Sequence, residues 1–60
     1  MIDIAKVNVG DCVYSGPNGE YLCKILEITN GDLICNMFSN ITKDWVPVRL
    51  RLEPKDCFYE

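Results

Sequence analysis

Sixty residues make one domain, and a chain of that size buries only about 60% of the surface it exposes when unfolded, so any core it forms is small. With 48% hydrophobic and 25% charged residues it lies away from the compositional range of disorder. A net charge of -3 and a pI of about 4.7 weigh against a general nucleic-acid binder, whose affinity comes from basic groups that neutralise phosphates.

The acid is concentrated early. Asp3, Asp11, Glu20, Glu27 and Asp32 face only Lys6 and Lys24 up to position 32, whereas Lys43, Arg49, Arg51 and Lys55 balance Asp44, Glu53, Asp56 and Glu60 beyond it. Such a surface suits a protein partner, with Lys43, Arg49, Arg51 and Lys55 as the alternative nucleic-acid contacts. No apolar run approaches the roughly 18 residues of a membrane span, so no membrane partner is expected. The start, MIDIAKVNVGD, has no basic stretch before an apolar core of the kind a secretory signal carries, which places the chain in the cytoplasm.

Along the chain, Ile2, Ile4, Val7 and Val9 alternate only partly, which predicts a short strand or an extended lead-in over positions 1 to 9. Gly10-Asp11 punctuates it. Cys12-Val13-Tyr14 predicts a brief strand, and Ser15-Gly16-Pro17-Asn18-Gly19 a reversing loop. Glu20 to Thr29 reads as a long strand with apolar residues on both faces, Tyr21, Cys23 and Ile25 on one, Leu22, Leu26 and Ile28 on the other. Too little chain exists to cover both faces of a flat sheet, so this strand is expected to bend and serve the core with each face in turn.

Asn30-Gly31 between two apolar runs is a hairpin signal, since both residues tolerate the positive φ of a type I′ turn. Asp32 to Phe38 returns from it, and Leu33, Cys35 and Met37 are expected inside because burying Asn36 would be costly. Ser39 to Lys43 is a polar connection. Asp44 to Val48 is a fourth strand that Pro47 makes an edge or ends early. Arg49 to Glu53 predicts a helical turn or a fifth strand stopped by Pro54, and Cys57-Phe58-Tyr59 is an apolar tail.

Five short strands with frequent turn residues predict an all-β fold, a small and strongly bent barrel forming a single domain over 1–60 with its centre at about 7–54. Val9-Gly10-Asp11-Cys12-Val13, then Asn18 to Ile25, the hairpin to Phe38, and Trp45-Val46-Pro47-Val48 with Leu50, Leu52 and Pro54 resemble the SH3-like barrels of the Tudor type, and more loosely the KOW modules. Tudor readers of methylated lysine or arginine use an aromatic cage that attracts a diffuse cation. The resemblance puts Tyr21 and Phe38 at two cage positions and the non-aromatic Pro17 and Ile41 at the other two, with Trp45 and Tyr14 as neighbouring substitutes. Packing or an apolar protein contact is the simpler reading of these aromatics.

Four cysteines, Cys12, Cys23, Cys35 and Cys57, raise the question of zinc, but no Cys-x-x-Cys pair and no histidine accompany them. Disulfides belong to exported small domains. Free core thiols, acting as small apolar side chains, are therefore expected, with no cofactor. Without histidine, no nucleophile has an evident base, so an enzyme is not expected. Asn40-Ile41-Thr42 fits the glycosylation pattern but has no meaning in the cytoplasm.

The expected function is a non-enzymatic protein-binding module acting as an adaptor, subunit or inhibitor of a larger protein, of the size of many phage and bacterial regulators. Beginning at Met1 and ending soon after the barrel, the chain is expected to be a complete product. Tyr14, Tyr21, Phe38, Ile41, Trp45, Phe58 and Tyr59 are the candidate contact residues. A KOW-like nucleic-acid contact through Lys43, Arg49, Arg51 and Lys55, with Trp45 or Tyr14 stacking on a base, is the alternative. A homodimer built on the same edge and tail is the third.

Overall fold

The computed structural model describes residues 1–60. Five strands, β1 (Cys12–Ser15), β2 (Tyr21–Thr29), β3 (Asp32–Ser39), β4 (Asp44–Leu52) and β5 (Cys57–Tyr59), form one antiparallel sheet in the order β4-β3-β2-β1-β5. The only helical pieces are 3-10 turns at Ile4–Lys6 and Pro54–Asp56. The all-β expectation holds, with no ladder joining β4 to β5. No helix is long and apolar enough to cross a membrane.

Asn30 and Gly31 take φ values of 51° and 79°, the paired left-handed conformations of a type I′ turn, and set Thr29 opposite Asp32. From that turn the register runs Ile28↔Leu33 and Glu27↔Ile34, then shifts by one so that Ile25 meets Cys35. Leu26 is the extra residue, a β-bulge that bends the strand and exchanges its faces. Cys23 and Ile25 point into the core before the bulge, and Ile28 packs against the same core after it. The expected bend thus has one local cause. On β3, Leu33 and Cys35 are fully buried and Met37 packs beside them, as alternation predicts.

Pro47 sits on an edge strand, as its missing N–H requires. It does not end that strand: β4 continues to Leu52, with Val46 opposite Met37 and Leu50 opposite Cys35. Three β4 residues, Pro47, Val48 and Arg49, span the one β3 position between those pairs. Arg49 to Leu52 is therefore neither a helical turn nor a separate strand. The fifth strand is the tail instead, where Cys57 is buried opposite Ser15 and Tyr14 faces Phe58.

The lead-in also differs from expectation. Asp3 accepts the Ala5 N–H through Oδ1 (3.0 Å) and starts the 3-10 turn, so no strand forms there. Partial alternation reflects two anchors: Ile2 and Val7 are buried in the core cluster, while Ile2 N–H donates to the Pro54 carbonyl at 3.0 Å. The core is small, a cluster of Ile2, Val7, Val13, Cys23, Ile25, Leu33, Cys35 and Cys57.

At Gly31 an added Cβ would meet nothing within 4 Å, so its substitution tests the turn conformation without a packing change. Gly31→Val should destabilise the fold by about 1–2 kcal/mol, the strain of a left-handed backbone on a residue with a side chain. Thermal unfolding should fall by roughly 4–8 °C for each kcal/mol, and an unchanged Tm would contradict the type I′ assignment.

Candidate functional site

Alternation along each strand sends Val13, Ser15, Cys23, Ile25, Cys35 and Cys57 to the core and the residues between them to the opposite face. On that outer face the register sets Tyr14 beside Phe58 on β5 and beside Leu22 on β2. The pairing of Cys23 with Met37 brings Leu22 next to Phe38, and Phe38 faces Trp45. A single row, Phe58, Tyr14, Leu22, Phe38, Trp45, therefore crosses all five strands. None of the five is fully buried; Phe58 is 41% exposed and the others are half-buried.

Phe38 and Trp45 meet edge to face, ring centroids 5.3 Å apart and planes at 78°, a geometry that aligns ring edge with π-face. Lys24, the next outer residue on β2 after Leu22, carries its ammonium over Trp45 at 5.0 Å from the ring centroid. Beside Lys24 in register lies Asn36. Keeping Asn36 off the core side does not leave it wet: its Oδ1 is buried with no hydrogen-bond partner.

Four of the seven expected contact residues, Tyr14, Phe38, Trp45 and Phe58, belong to this row. The others lie elsewhere. Tyr21, opposite Ser15, rests on the Gly16 backbone, where an added Cβ would come within 2.7 Å of its ring. Tyr59 is opposite Val13 and its hydroxyl oxygen accepts the Asp3 N–H at 2.8 Å. Ile41 stands 94% exposed at the turn between β3 and β4. Leu22 and Lys24 are the members that sequence reasoning missed, and alternation from Tyr14 and Phe38 across a known register would have found them.

Tyr21 and Phe38 do not share a cage, no pocket opens on the surface, and the cation position over Trp45 is held by the chain's own Lys24. Three of the four residues of the basic set are paired with acids. Arg49 pairs with Glu27 (3.0 Å), Arg51 with Asp32 (2.9 Å), and Lys55 with both Glu53 (3.2 Å) and Asp56 (3.4 Å). Lys43 sits apart in the β3–β4 turn at φ 59°.

All four cysteines are free, and Cys23, Cys35 and Cys57 are fully buried. The Cys23 sulfur lies 3.4 Å from the Ser15 hydroxyl, and the Cys57 thiol donates to the Glu53 carbonyl at 3.4 Å. Burial pushes the Cys35 thiol up to about 12, with the neighbouring Cys23 and Cys57 adding to the shift. Burial likewise raises Cys57 and Cys12, the latter also through Glu60. No set of three or more Cys, Asp or Glu side chains is arranged to hold a metal ion. No family model, characterised protein or solved structure matches the chain.

The orphaned Asn36 acceptor gives a stability test. Asn36→Val removes it and suits a strand better, so the variant should gain about 1 kcal/mol, read as a Tm rise of roughly 4–8 °C; a fall would mean that the amide has a partner in solution. The thiols give a second. A thiol raised on folding is protonated in both states below the ordinary value near 9 and only in the folded state above it, so its stabilising contribution is lost between about pH 9 and 12. The urea midpoint should fall across that window more steeply for the wild type than for Cys35→Ala, and parallel curves would contradict the burial-driven shift.

Proposed function

We propose that this chain is a non-enzymatic protein-binding module that docks on a larger protein as an adaptor, subunit or inhibitor, through the outer face of its sheet. The carrying observation is the row Phe58, Tyr14, Leu22, Phe38, Trp45, which places an aromatic side chain on four of the five strands and leaves all five residues partly in water. Aromatics of this kind anchor interfaces because they bring large apolar area with few rotatable bonds. The SH3-like resemblance of the Tudor type supports a binding role on a small β scaffold, and the reading does not depend on a methyl-cation cage.

Thiols held above their ordinary values are poor nucleophiles at neutral pH, which favours binding over catalysis. Four free cysteines suit a reducing compartment and so a cytoplasmic setting. For nucleic acid, the ion pairs at Arg49, Arg51 and Lys55 leave little unmatched positive charge on that side of the chain.

The test is capture of partners from the source lysate, after nuclease treatment, with three baits: the wild type, Trp45→Ala, and a variant with Lys43, Arg49, Arg51 and Lys55 all changed to Gln. Trp45 is only half-buried, and circular dichroism checks that its variant stays folded. The reading expects a stoichiometric protein kept by the four-Gln variant and weakened at least about 30-fold by Trp45→Ala, the equivalent of the roughly 2 kcal/mol of a hot-spot aromatic. Loss on nuclease treatment or in the four-Gln variant would favour nucleic acid, and a Trp45-dependent dimer on sedimentation would favour self-association.

A further inference from the structure

Lys24 is the only charged side chain that the row brings into contact with an aromatic ring, and it has no counter-ion. Arg49, Arg51 and Lys55 are each matched by carboxylates, whereas Lys24 takes part in no ion pair and no side-chain hydrogen bond, its ammonium standing over Trp45. A molecule that covers Trp45 and Phe38 must also cover that ammonium. Removing an unpaired charge from water opposes binding, and the π-face of one indole replaces only part of the lost hydration. The ammonium's three donors call for an acceptor that carries negative charge.

We propose that the natural occupant of this face is a polypeptide segment with aromatic or aliphatic side chains for the row and one Asp or Glu carboxylate for Lys24; the proposal rests on the protein-docking reading above. Charge counting favours a carboxylate over a nucleic-acid strand. Along the row the one free cation is Lys24, with the unpaired Lys43 beyond its end in the β3–β4 turn, and the exposed Glu60, next in register to Cys12, lies on the same outer face. A peptide carboxylate matches Lys24 one to one. A phosphate chain brings a charge with every nucleotide, and the row holds no second free cation for those that Lys24 does not reach. A cationic ligand is excluded from Trp45 by Lys24 itself.

The experiment is selection of a displayed library of random dodecamer peptides on the full-length protein, run in parallel on Lys24→Glu, Lys24→Met and Trp45→Ala, each checked for folding by circular dichroism. Wild-type protein should enrich peptides with two or more large apolar residues and an Asp or Glu at fixed spacing from them. Changing that acid to its amide should weaken a synthetic peptide at least tenfold. Lys24→Met should bind the acid and amide peptides alike, Lys24→Glu should enrich Lys or Arg at the same spacing, and Trp45→Ala should enrich none of these sequences. Peptides that depend on Trp45 but carry no acid, or keep their preference on Lys24→Glu, would overturn the carboxylate proposal and leave the docking reading standing. Absence of any Trp45-dependent peptide, Trp45-dependent binding of an oligothymidylate probe, or a Trp45-dependent dimer would overturn both.

Discussion

Leu26 has no opposite number on β3, and the packing of the whole chain depends on that extra residue. Without it, β2 would hold Cys23 and Ile25 to one side and Ile28 to the other for its full length, and a single sheet would need cover on two sides. The bulge turns the strand midway, so that Ile25 and Ile28 lie over one core. The Asn30-Gly31 turn supports the same outcome by fixing where β3 starts, because a slip of one residue would send Leu33 and Cys35 outward and Ile34 and Asn36 inward. A core this small, which includes Ile2 and Val7 from the lead-in, has little tolerance for such a slip.

Having gathered the core on one side, the sheet leaves its other side to a different set of residues. Four aromatics and a leucine occupy it, while the N-terminal segment is committed to the core by Ile2 and Val7. The small thiols follow the same economy of space. Cys23, Cys35 and Cys57 are fully buried and fill the core as small apolar side chains, and burial raises the Cys35 and Cys57 thiols above their ordinary value.

Charge is divided along the same lines. The acids of the first half are not a uniform negative coat: Glu27 and Asp32 flank the hairpin turn and hold Arg49 and Arg51 of the edge strand. These exposed pairs contribute little to stability, at most about 1 kcal/mol each, but they cancel the positive patch that the linear sequence suggests. What remains unmatched on the aromatic face is Lys24, whose ammonium stands over Trp45.

By itself the sequence determined what local chemistry controls: the Asn30-Gly31 turn, the alternation that puts Leu33, Cys35 and Met37 inward, the edge placement forced by Pro47, and the all-β class. It also required a bend in Glu20 to Thr29, from the simple excess of apolar residues over one face. Which residue supplies the bend was decided by pairing with β3, since any of several positions could take the bulge. The tertiary structure alone decided that Cys57 to Tyr59 pairs with β1 while Arg49 to Leu52 extends β4, because both segments are apolar enough to be strands and only competition for the free edge of β1 separates them. It decided too that Tyr14, Leu22, Phe38, Trp45 and Phe58 form one row and that Lys24 lies over Trp45 while Arg49 and Arg51 are neutralised. Those are facts of register between strands distant in sequence, and no spacing along a chain records them.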